Sequence, residues 1–245
     1  MKKHSIALLL LLVLLTGCGA KTEEAPWQTA YRETGKYLQE QDALSAGSVG
    51  GEWAVIGLSR AGLLSDETAQ SYEQTVEDYV KQAGSVRLHH AKSTENSRAI
   101  LGLTAAGYNA ANMAGVDLTA GLTDMAYLRA QGTNGPIWAL IALDCHGYDI
   151  PQCADGEEQT TCEGLVAEIL SYQCSDGGWA LMGDESDVDM TAMALTSLAP
   201  YQEETDIKAA VDAALTYLSD AQQADGGFML SLIHISEPTR LGMIS

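Results

Sequence analysis

Cations are scarce in this chain: 13 Lys and Arg stand against 33 Asp and Glu among 245 residues, a net charge of -20 at pH 7. Such a surface repels phosphate backbones and anionic headgroups, which excludes nucleic acid as a partner. Aromatic residues are also few, 6 % with a single Phe, so there is little from which to build a cavity that stabilises carbocations through cation–π contacts. The apolar stretch from Ile6 to Leu15 is too short to cross a bilayer. Between His146 and the last sixteen residues there is no histidine, which leaves a zinc site short of the three or four convergent ligands it needs.

The two ends stand apart from the rest. Lys2 and Lys3, the apolar stretch 6–15 and Leu15-Thr16-Gly17-Cys18 read as a lipoprotein export signal over residues 1–17, with Cys18 left to carry the lipid. Several acyl chains anchor durably where one is marginal. The expectation is an extracytoplasmic protein held at the cell membrane through Cys18, with residues 18–26, small and polar, as a tether. At the other end, "LSLIHISEPTR" has no turn logic and matches the translated reading of an adapter used to prepare sequencing libraries. Residues 230–245 therefore read as a non-native tail, outside the fold argument. Without Lys2, Lys3, Glu237 and Arg240, 10 basic and 32 acidic residues remain.

Residues 27–229, rich in Ala, Leu and Gly, suffice for one domain with a sizeable core. Cys145, Cys153, Cys162 and Cys174 cluster within it. In a compartment where disulfides persist, two bridges are expected, with three pairings open. Sequential pairing would staple the loop "GYDIPQCADGEEQTTC" to its flanking helices.

Four segments superimpose: "EWAVIGLSRAGL", "SRAILGLTAAGY", "IWALIALDCHGY" and "DMTAMALTSLAPY". With Gly57, Gly102, Ala142 and Ala194 as equivalents, the spacings are 45, 40 and 52. A period near this length means stacked supersecondary units. Each segment is apolar or small all round, as a helix buried on several faces requires, and each is followed by a more charged amphipathic stretch: "ETAQSYEQTVEDYVKQ", "LTAGLTDMAYLRAQ", "EGLVAEILSYQ" and "DIKAAVDAALTYLSDAQQ". Each unit thus reads as an inner helix followed by an outer one. Two outer helices end alike, in Gln173, Asp176, Gly177, Gly178, Trp179 and in Gln222, Asp225, Gly226, Gly227, Phe228. The glycines after Asp supply the positive φ of a helix exit, while the amide bonds free backbone groups and the aromatic covers the junction.

Q-x-x-D-G-G-W/F at the end of an outer helix, on a hairpin repeat, resembles the α/α toroid of terpenoid cyclases, protein prenyltransferase β subunits and their non-enzymatic relatives. The resemblance implies an all-α fold, a ring of about six hairpins in the family, of which this chain holds four to five, an incomplete ring. Class II cyclases of this kind carry D-x-D-D-T-A, with the middle Asp as the protonating acid. Here Asp187, Asp189, Thr191 and Ala192 match, and Met190 stands where the last Asp would support that acid. Alkene protonation needs a desolvated carboxyl with such support. The competing reading is a helix start: Ser186 or Asp187 as cap, Asp189 in the first turn against the dipole, and Ser186-x-x-Asp189 approximating a capping box. Capping is favoured. Asp144-Cys145-His146 offers prenyltransferase ligand types at the wrong spacing, and "CADGEEQ" spoils the thioester ring of complement-like domains.

The resemblance extends to exported carriers of cobalamin, which implies a ligand-binding or assembly module taking a corrinoid or a sugar, with no cofactor specified. The alternatives are an enzyme, a cyclase relative or a carbohydrate-active toroid using Asp187 and Asp189, and a structural envelope protein.

Overall fold

A computed structural model of the chain describes residues 25–41, 44–48 and 50–229. The signal segment 1–17, Cys18, the tether up to residue 24 and the tail 230–245 lie outside the described residues. Among the described residues nine α-helices and three short 3-10 segments form, and no strand does. The fold class is all-α.

The described residues divide into two compact units, one ending at Glu40 and the other beginning at Gln41. The first contains one described helix, α1 (Pro26–Gln39), which starts with Pro in its first turn, where the missing N–H costs nothing. Gln28 Oε1 accepts from Ala25 N at 2.9 Å and closes that turn. The sequence reading places residues 27–40 within the repeat domain; the structure assigns them to the first unit.

In the second unit, the helices predicted as inner are α2 (Gly51–Arg60), α4 (Thr94–Ala105), α6 (Asn134–Asp144) and α8 (Val188–Leu198); those predicted as outer include α3 (Asp66–Ala83), α7 (Cys162–Ser171) and α9 (Thr205–Ala221). The sequence explains the boundaries of α3. Ser65 Oγ accepts from Thr68 N, Asp66 and Glu67 occupy the positive end, and Gly84 at φ 60° ends the helix, a left-handed exit that glycine takes without strain. Ala69, Tyr72, Val76 and Val80 are its buried residues, an i, i+4 stripe turned to the core. α6 has no such stripe: Ile137, Ala139, Leu140, Ala142 and Leu143 are all buried, as expected for a helix enclosed on several sides.

α2 packs on α4, α4 on α6 and α6 on α8, while α6–α7 and α8–α9 pack as consecutive pairs. Most of the buried apolar side chains of this unit join one core, with Trp179 and Tyr72 its largest fully enclosed members.

The predicted outer helix over "LTAGLTDMAYLRAQ" is a correction. It forms a 3-10 segment, Leu118–Leu122, and a short helix α5, Met125–Arg129. The break at Thr123 and Asp124 is used by the loop 151–161: Thr160 N donates to Thr123 O and Met125 N to Glu158 O, each at 2.8 Å. Asp124 Oδ1 restarts the helix by accepting from Ala126 N. Side-chain competition of this kind for backbone groups interrupts helices.

Candidate functional site

The repeated turn is structural. In residues 173–179 the Gln173 amide donates to Gly177 O and to Ala210 O on α9, both at 2.8 Å. Asp176 Oδ1 accepts from Gly178 N. Gly177 has φ 91°, and a Cβ there would lie 2.9 Å from Ala213 O on α9, so two separate constraints demand glycine. Trp179 is fully buried; its indole N–H donates to Ile169 O at 2.7 Å and its backbone N–H to Thr191 Oγ1 at 2.9 Å. The Gln173 amide nitrogen and the two Trp179 N–H groups thereby tie α7, α8 and α9 together.

Asp187 is the cap of α8. Its Oδ1 accepts from Met190 N at 3.0 Å, its N–H donates to Trp179 O, and its carbonyl accepts from the Thr191 hydroxyl at 2.7 Å. Ser186 does not share in capping: its hydroxyl donates to Asp176 Oδ1 and its carbonyl accepts from Tyr217 OH, so the approximate capping box is replaced by a cap from Asp187 alone. Asp189 lies half-buried in the first turn of α8, next to the buried Met190.

The four cysteines are free thiols, so the expected pair of bridges is not formed. Cys162 opens α7 and Cys174 lies past its end. A ten-residue helix is about 15 Å long, roughly twice the widest Cα separation a disulfide tolerates, which removes the Cys162–Cys174 pairing. Cys145 Sγ donates to Ala142 O at 3.1 Å, and Cys153 Sγ lies 3.6 Å from Glu157 O. Burial pushes the thiols of Cys145 and Cys162 above their ordinary range, with the charge of Asp144 adding to it. Burial also raises the Asp144 carboxyl, against the Tyr201 hydroxyl that bonds both its oxygens at 2.9 and 3.0 Å. Raised thiols are poor nucleophiles and poor metal ligands. Among the described residues no group of three His, Cys, Asp or Glu is placed to hold a metal.

A concave feature lies elsewhere. A depression of about 470 Å³ opens between the loop after α3, the Leu118–Leu122 segment and the loop 151–161; its polar lining includes Arg87, Thr123, Gln152, Cys153 and Glu157. Arg87 organises it. One guanidinium nitrogen bonds Asp124 Oδ2 at 3.1 Å and Glu157 Oε1 at 2.6 Å, and the guanidinium carbon lies 4.5 Å from the centre of the Tyr127 ring. Burial pushes the Tyr127 hydroxyl up to about 12, Arg87 opposing it, and that hydroxyl donates to His89 O. Glu157 Oε2 accepts from Ala154 N. The lining carries one cation, Arg87, and one carboxylate, Glu157, with donors and acceptors side by side. The sequence reading missed this site, because its residues come from three loops with no shared spacing. Its one signal was Arg87 itself, a rare cation in an acidic chain.

A second feature follows the repeat register. Trp53 and Trp138, each four residues before its segment's equivalent position, approach to 5.2 Å between ring centroids at 60°. Arg98, at the same register on α4, pairs with Glu95 at 2.6 Å. Behind them Glu52 Oε2 and the Tyr72 hydroxyl are buried without a hydrogen-bond partner among the described residues. Burial chiefly, then the charge of Glu52, raises Tyr72 far above its ordinary range.

No protein-family model, no curated protein and no solved structure matches this chain.

Proposed function

We propose that this chain is a non-enzymatic binding module: a lipid-anchored, extracytoplasmic protein whose helical hairpins belong to an α/α toroid and whose ligand is a small neutral polyol of the sugar class. The toroid reading is supported by the succession of contacts α2–α4–α6–α8, by the α6–α7 and α8–α9 pairs, and by the second copy of the Gln-Asp-Gly-Gly-aromatic turn. The observation that carries binding over catalysis is the use of Asp187 as a helix cap, while polar groups free of any repeat duty line the Arg87 depression. Its volume lies in the range of small-molecule pockets. A hydrogen-bonding lining whose one cation is already paired with carboxylates disfavours anions and accepts hydroxyl pairs, each OH donating to a carboxylate and accepting from a cation or amide. Of the two ligand classes the resemblance implies, a corrinoid is far larger than this depression, which favours the sugar.

The test is a thermal-melting titration of the mature protein with a panel of neutral mono- and disaccharides and, separately, cobalamin, with Arg87→Ala and Arg87→Lys alongside. A sugar that raises the midpoint of the native chain, and neither variant's, bears the reading out. A response to cobalamin alone, or one unchanged by both substitutions, refutes it.

A further inference from the structure

α1 carries two opposed faces. Projected at 100° per residue, Trp27, Tyr31, Thr34 and Leu38 form one stripe, with Gln28, Arg32, Lys36 and Gln39 away from it. The aromatic members are exposed, Trp27 at 67 % and Tyr31 at 55 %, although tryptophan occurs only four times in the chain. α1 belongs to a unit separate from the repeat domain. It begins eight residues after Cys18, the residue read as lipidated. Between residues 18 and 41 three cations nearly balance four anions, whereas residues 41–229 carry 7 basic and 28 acidic residues.

We infer that α1 lies in the membrane interface as a second anchor beside lipidated Cys18, its Trp27–Tyr31–Leu38 stripe sunk to the level of the headgroups. Tryptophan and tyrosine favour that level because the ring is apolar while its N–H or O–H stays wet. Fourteen residues rise about 21 Å, too short to cross, and among the described residues no helix is long and apolar enough to do so. A flat, amphipathic placement is what remains for such a segment at a bilayer. Near-neutrality lets it approach, while the acidic domain is repelled from anionic lipid. The occupant of the stripe is therefore the zwitterionic lipid surface itself, and its binding is apolar and little changed by salt.

The inference rests on the lipoprotein reading, and the experiment separates the two. The mature chain from residue 18, with Cys18→Ser so that it bears no lipid, is sedimented with phosphatidylcholine vesicles. The same chain with Trp27→Ser and Tyr31→Ser is run beside it, and melting of both confirms that the repeat domain is intact. The expected result is pelleting of the first that falls at least tenfold in the second, persists at high salt, and weakens as anionic lipid is added. A first chain that stays in the supernatant, or a doubly substituted chain that pellets equally, overturns the inference. Palmitate labelling at Cys18 in cells reports on the anchor independently: labelled protein whose unlipidated form ignores vesicles sinks the interfacial helix alone, and vesicle binding without label sinks the lipid anchor alone.

Discussion

The same turn is built twice in this molecule, and only one copy is buried. In residues 222–228 the Gln222 amide donates to Gly226 O at 2.9 Å, Asp225 Oδ1 accepts from Gly227 N, and Gln223 N donates to Gly227 O. The corresponding bonds in residues 173–179 join Gln173 to Gly177, Asp176 to Gly178 and Cys174 to Gly178. The left-handed glycines agree as well, at φ 91° and 86°. What differs is the covering. Gln173 reaches across to α9 and Trp179 is fully enclosed, whereas Phe228 is 41 % exposed. Local sequence is sufficient to set the conformation of this turn. Its energetic weight comes from the helix packed on it.

That separation is testable in decreasing order of effect. Trp179→Ala empties a fully buried site and leaves Ile169 O without its donor; the expected loss is about 3–5 kcal/mol, against less than about 0.5 kcal/mol for Phe228→Ala. Urea unfolding of both variants measures the gap, and equal losses would mean the second turn is covered in solution. Gln173→Ala comes next, at about 1–2 kcal/mol for two bonds to backbone carbonyls, while Gln222→Ala, which severs only a bond inside an exposed turn, is expected near zero. Asp187→Ala removes the cap of α8 at a cost of about 1 kcal/mol, and Asp187→Asn, which caps equally well, restores it to within a few tenths. An acid catalyst would not tolerate that exchange. Sugar-induced stabilisation of the Asp187→Asn protein should therefore equal that of the unsubstituted chain.

What was legible in the sequence follows the same division between local and tertiary effects. The all-α class, the helix exits and the Asp187 cap depend on residues within a few positions of one another, and periodicity or spacing records them. The shortening of the predicted outer helix to α5 depends on the loop 151–161 donating to Thr123 O and Glu158 O accepting from Met125 N, partners about thirty-five residues away that no window sees. The Arg87 site fails to show for the same reason, since Asp124 and Glu157 lie 37 and 70 residues from it. The cysteines misled through proximity: Cys162 and Cys174 are near in number, and the helix between them holds them apart.

The smallest effect compares the helices that lead into the two turns. α7 is tied to α5 by Arg129, whose Nε and Nη2 each meet a Glu168 oxygen at 2.8 Å, whereas the ion pair on α9, Lys208 to Asp212, stays within one helix on its exposed face. The Arg129 hydrogen bonds hold the Glu168 carboxyl below its ordinary value, against burial. A depressed folded pKa means that the folded state binds this proton less readily than the unfolded one. The stabilisation is therefore complete above the unfolded value of 4.5 and is lost as pH falls through the lower folded value. Glu168→Gln should lower stability at pH 7 by about 0.5–1 kcal/mol and flatten the acid limb of the stability profile, while Lys208→Ala should change it by about 0.3 kcal/mol or less and leave that limb alone. Melting between pH 7 and pH 3 at low salt distinguishes them: if the Lys208 variant lost as much as the Glu168 variant, α9 would be bearing load at its exposed face, and the contrast between a covered and an uncovered turn would have to be abandoned.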